Sequence, residues 1–177
     1  MIFSKRGFRL ALLLVIGPLT LFLLAAMTST ARFAAAAATK PRENDTGKWT
    51  AASTTAMSIT GDITITPTSI SFAHKTFKIR LVREIDKAHL DDAGRIADAG
   101  DSPPSARLYR IQIPRTTILL NETTMCGPND AKWMLAVYEK KAISLAFFSG
   151  ETEPNLDYQS VAVSHDLCGT YGYFARD

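Results

Sequence analysis

Three histidines and two cysteines are the side chains of this 177-residue chain best suited to metal or covalent chemistry. His89 stands in Asp86-Lys-Ala-His89-Leu-Asp91-Asp92, a local group of hard and borderline metal ligands. On a helix Asp86 and His89 share a face, being three residues apart. Two ligands do not make a metal site, so Asp86 and His89 are candidate metal residues against the plainer reading of a charged, solvated segment. His74 falls in an expected hairpin turn, and His165-Asp166 in a polar loop before Cys168. Both read as solvated turn or loop residues rather than parts of a catalytic group. No G-x-S-x-G, H-E-x-x-H, phosphate-binding glycine loop or EF-hand pattern occurs. The residues therefore favour a noncatalytic protein with no cofactor. An envelope enzyme or metal-binding protein that uses His89 and its neighbouring carboxylates is the alternative.

Cys126 and Cys168 read differently. No C-x-x-C or Cys/His spacing surrounds them, and each is followed by a glycine. An even count in an oxidising compartment points to a bridge, and two cysteines allow one pairing. Closing a loop of this length stabilises a fold by about 4 kcal/mol in the chain-entropy account. Asn44-Asp-Thr46 and Asn121-Glu-Thr123 also match the N-glycosylation acceptor pattern.

The compartment is indicated by residues 1–38. Lys5, Arg6 and Arg9 precede an apolar run over 10–27, and an alanine tract over 34–38 closes the segment. A basic start, an apolar stretch and small residues are the features of an export signal, cleaved after Ala36 or Ala38. An uncleaved anchor holding the domain at the inner membrane is the alternative, although Gly17 and Pro18 interrupt the run. The expected location is periplasmic or secreted. These 38 residues hold four of the 20 Lys and Arg and none of the 17 Asp and Glu. Residues 39–177 carry 16 basic against 17 acidic residues, a net of −1, so the overall +3 belongs to the leader. A near-neutral domain without basic runs has no electrostatic footprint for nucleic acid. Membrane contact is expected through the N-terminal segment only, if it is retained.

The elements that must position these residues are strands. Residues 39–47 are a polar lead-in, and 48–177 read as a single domain. Alternating apolar and polar residues mark strands over 62–66, 69–72, 76–81 and 107–113, with a short turn over 73–75. Further short runs lie at 116–120, 160–163 and 170–174. Residues 133–138 and 142–148 form an expected hairpin around Glu139-Lys140-Lys141. Residues 84–105 break the rhythm with loosely helical spacing and predict a helical or loop excursion. Seven to nine short strands in one domain predict an all-β fold, a small antiparallel barrel or sandwich. The meander order favours the barrel, since closure removes exposed edges. In architecture, compartment and size the chain resembles small bacterial periplasmic barrels such as the C-type lysozyme inhibitors and the META-type domains. The resemblance carries no site and no activity.

Consecutive strand residues face opposite sides, so Phe147 and Phe148 cannot both enter one core. An outward Phe148 either lines a binding surface or packs under the 84–105 excursion. Trp49, Trp133, Tyr171 and Phe148 are the candidate ligand-binding residues. The reading that results is a binding protein for an envelope component, a protein partner or a small apolar ligand. The first two would dock on rim loops at 121–130 and 151–157, and the last would occupy a cavity inside the barrel.

Overall fold

Strand β1 (Gly47–Ala51) pairs on one side with β2 (Ile63–Ile65) and on the other with the last strand, β8 (Leu167–Ala175). That second ladder sets Trp49 opposite Ala175 and Ala51 opposite Tyr173, and it closes the sheet. Between them run β3 (Ser69–Phe72), β4 (Lys75–Glu84), β5 (Ser105–Ile113), β6 (Ala131–Tyr138) and β7 (Ala142–Phe148). Every neighbouring pair is antiparallel and follows chain order, giving a closed eight-stranded barrel. The choice between barrel and sandwich is thereby decided. These elements come from a computed structural model, which describes residues 46–100, 103 and 105–176. The expected export signal over 1–38 and most of the polar lead-in lie outside the described residues.

An eight-stranded barrel is just wide enough for its own side chains to fill it. Here aromatic rings do so. Phe72 lies 4.9 Å from Phe77 and 6.3 Å from Phe147, and Phe147 meets Tyr171 edge-on at 5.4 Å between ring centres. Trp49, Met134, Tyr138 and Tyr173 complete this core with isoleucines from β2 to β5 and β7. A π-helical turn, Ala56–Thr60, connects β1 to β2 in sequence and adds the buried Ala56 to this core. Ser53 Oγ accepts from the Ala56 N–H at 3.1 Å, and the Thr60 and Tyr173 hydroxyls meet at 2.7 Å.

A second core lies outside the wall. Leu108, Trp133, Leu135, Val137 and Phe148 face outward from β5 to β7 and are buried under α1 (Leu90–Ile96), α2 (Tyr158–Ala162), Ile85 and Leu156. Phe148 thus packs beneath the 84–105 excursion while Phe147 enters the barrel. Burial on both faces also explains why β6, AKWMLAVY, is apolar without alternation. The excursion is a 3₁₀ turn, Lys87–His89, running into α1. It ends at Ala97, before Gly100, whose N–H donates to Glu139 Oε1 at 3.0 Å.

Three expectations need correction. Residues 160–163 are not a strand: most of the run belongs to α2, because the Asp157 carboxylate accepts from the Ser160 N–H at 2.8 Å and nucleates a helical turn. Residues 116–120 are not a strand either. The Thr117 N–H turns back to the Pro114 carbonyl, and a 3₁₀ turn, Leu120–Glu122, comes next. Strands β4 and β8 outrun their expected bounds, the first to Glu84 and the second from Leu167. Cys126 and Cys168 are joined as expected, with Cα atoms 4.8 Å apart. The bridge ties the β5–β6 loop to the start of β8.

Candidate functional site

Alternation along β4 sends Phe77 and Ile79 inward and leaves Thr76, Lys78 and Arg80 exposed. On β5, Ile111 and Ile113 point in, while Arg110 and Gln112 point out. The ladders then fix what meets what. Lys78 stands opposite Ser69 of β3, and Arg80 stands opposite Arg110 of β5. The outer core under the helices covers the wall from β5 to β7 and touches the end of β4 at Val82, while Lys78 and Arg80 lie outside it. What remains is an open groove of about 710 Å³, lined by Thr68, Ser69, Thr76, Lys78, Arg80, Arg110 and Gln112 together with Ile79 and Ile111.

The groove has three cations and no carboxylate in its lining. Lys78 and Arg80 enter no ion pair among the described residues. Arg110 is held at the far edge, its guanidinium 4.5 Å from the centre of the Trp133 ring and donating to the Glu151 carbonyl at 3.5 Å. Gln112 donates to Asp130 at 3.0 Å. The Thr76 hydroxyl meets Ser71 at 2.8 Å, and the Ser69 hydroxyl meets Thr66 at 2.7 Å. Like charges directly opposite each other on a sheet destabilise it. An oxyanion between Arg80 and Arg110 would reverse that repulsion and accept charge-assisted hydrogen bonds.

The four aromatic candidates do not form one lining. Trp49 and Tyr171 lie inside the barrel, whereas Trp133 and Phe148 lie in the outer core. The Trp133 indole donates to the Gly150 carbonyl at 2.9 Å. The Trp49 indole N–H finds no acceptor among the described residues. Burial pushes the Tyr171 hydroxyl up to about 12. Burial raises Tyr173 further, opposed in part by its bond to Thr60. Arg107 is buried against the Tyr138 ring and pairs with Glu84 at 3.0 Å.

Asp86 and His89 do come together, in a separate groove of about 370 Å³ with Arg83, Asp92 and Asp157. Arg83 is paired with Glu153 at 2.7 Å. Asp157 is committed to α2: the Ser160 N–H, then the Ser160 hydroxyl, hold its carboxyl below the ordinary range. Among the described residues no three His, Cys, Asp or Glu side chains are grouped to hold a metal. His74 occupies the β3–β4 turn at φ 60°, next to Ala73 at φ 46°. Of the rim-loop acids, Glu151 pairs with Lys132 and Glu153 with Arg83.

No family model, curated protein or solved structure matches this chain. Among the described residues, no helix is long and apolar enough to cross a membrane. The Cys126–Cys168 bridge is compatible with an oxidising compartment. The basic groove escaped the sequence reading because Lys78, Arg80 and Arg110 are scattered over 33 positions and each looks like an ordinary outward strand residue. The available signal was the outward placement of cations at Lys78 and Arg80, two residues apart, with no acidic residue between Lys75 and Arg83.

Proposed function

We propose that this protein is an exported, noncatalytic binding protein of the periplasm or extracellular space, and that it holds an anionic envelope component against the outer face of β3 to β5. One observation carries the reading: Lys78, Arg80 and Arg110 share a groove that has no carboxylate of its own. Lys78 and Arg80 have no ion-pair partner among the described residues, and such cations on a concave surface raise the local concentration of oppositely charged ligands. The aromatic filling of the barrel supports an external site over an internal cavity. The disulfide supports the exported location.

The test is binding of polyglutamate, a phosphorylated saccharide and anionic vesicles, measured at low and physiological salt. At least one polyanion binds, more weakly as salt rises. A Lys78→Glu/Arg80→Glu double variant with an unchanged circular dichroism spectrum loses that binding. Equal binding by the variant, or no binding by any polyanion, rules the reading out.

A further inference from the structure

Resting on the anionic reading of the β3–β5 face, we infer that its ligand is a phosphate-bearing saccharide, with the phosphate held between Arg80 and Arg110. The ladder places these two arginines directly opposite each other. Opposed side chains on a sheet start about 5 Å apart at Cβ, and residues two apart along a strand about 7 Å apart. Lys78 is therefore the third cation within reach of the same anion. A single carboxylate brings one negative charge to three cations. A phosphate monoester brings nearly two, and three acceptor oxygens that match guanidinium forks in pairs.

The rest of the groove suits a polyol. Thr68, Ser69 and Thr76 present hydroxyls beside the cations. A volume of about 710 Å³ falls within the range of sites for small molecules. Two other anionic partners fit less well. A bilayer surface is engaged through apolar side chains as well as charge. The exposed large apolar residues Met57, Ile118, Val163 and Phe174 all lie outside this groove. An acidic peptide adding to the sheet would need a regular edge. β4 has none, being paired with β3 on one side and β5 on the other in a closed barrel.

The experiment is a nuclear magnetic resonance titration of the disulfide-bonded protein, purified after export, with glucose 6-phosphate, glucose, inorganic phosphate, glucuronate and polyglutamate. Glucose 6-phosphate is expected to shift the amides of Lys78, Arg80 and Arg110 and to bind roughly tenfold tighter than glucuronate or inorganic phosphate. Glucose produces no shift. Arg80→Ala weakens glucose 6-phosphate by roughly tenfold or more, and Arg80→Lys recovers part of the loss, since the charge returns without the fork. Glucuronate or inorganic phosphate binding as tightly as glucose 6-phosphate overturns the inference. Binding of polyglutamate without glucose 6-phosphate also overturns it and leaves the anionic reading standing. Silence from all the anions overturns both.

Discussion

The hydroxyls of Tyr109 and Tyr138 meet at 3.2 Å inside the barrel, on the neighbouring strands β5 and β6. Burial pushes the Tyr138 hydroxyl well above its usual range, and the neighbouring Tyr109 adds to the shift, against a smaller opposing effect of Arg107. With Tyr171 and Tyr173 this makes a barrel that holds phenols in their neutral form.

Alkaline pH should therefore unfold the protein. A phenol that ionises near pH 10 in the unfolded chain and near 12 in the folded one binds more protons when folded across that window. Its contribution is complete below pH 10 and is lost as pH rises through the folded value. The slope is about 1.4 kcal/mol per pH unit for each such tyrosine. Urea unfolding between pH 8 and 12 should show this decline, and Tyr171→Phe should shed one proton's share of it. A flat profile across the window contradicts the buried-phenol account.

Reduction of Cys126–Cys168 should lower stability by about 4 kcal/mol, as expected for a bridge closing a loop of this length. The Cys126→Ser/Cys168→Ser variant should show the same loss and no further response to reductant. Because neither cysteine lines the β3–β5 groove, anion binding should persist in the folded fraction. Equal melting temperatures with and without reductant would disprove the stabilising role.

Phe147 and Phe148 should fail in different ways when truncated. Each buried phenylalanine lost to alanine costs about 3–5 kcal/mol. Phe147→Ala opens the space between Phe72 and Tyr171 and should loosen the whole barrel. Phe148→Ala removes the floor beneath α1 and α2, so hydrogen exchange should quicken first in those helices. Uniform exchange in both variants would mean that the two cores open as one.

Gly61 offers a backbone test. It sits at φ 63°, its N–H closes the π-helical turn on the Ala56 carbonyl at 2.8 Å, and an added Cβ would lie 3.1 Å from Leu120. With ψ at −159° this is a backbone region that almost only glycine occupies, so Gly61→Ala should cost about 1–3 kcal/mol from conformation alone. Gly61→Ala made in a Leu120→Ala background separates the conformational cost from the contact. Identical losses would show that Leu120 yields freely.

Strands with one solvated face were legible because alternation survives there: Phe77, Ile79 and Leu81 against Lys78 and Arg80 specify β4 without help. The order of short runs also implied a meander. Helix α2 was not legible, since five residues are too few for a helical period to emerge. Its signal was the Asp157–Ser160 pair, a capping arrangement rather than a hydrophobic one. The candidate groove was hidden for a different reason. Outward cations on separate strands become a cluster only when register is known, and the Arg80–Arg110 alignment precedes a bulge that counting residues does not locate. The aromatic candidates illustrate the converse: Trp49 and Trp133 are equally large and both buried, yet the wall of the barrel stands between their clusters.

The Trp49–Ala175 ladder has a consequence for how the ring is cut. Strands β1 and β8 are neighbours on the wall, hydrogen-bonded like every other adjacent pair, so the seam between them is one of eight around the ring. A chain spliced from β8 to β1 and reopened within Glu139–Lys141 would keep every rung except the turn it severs. Sequence order is thus a route around the ring, while the ring itself has no starting point.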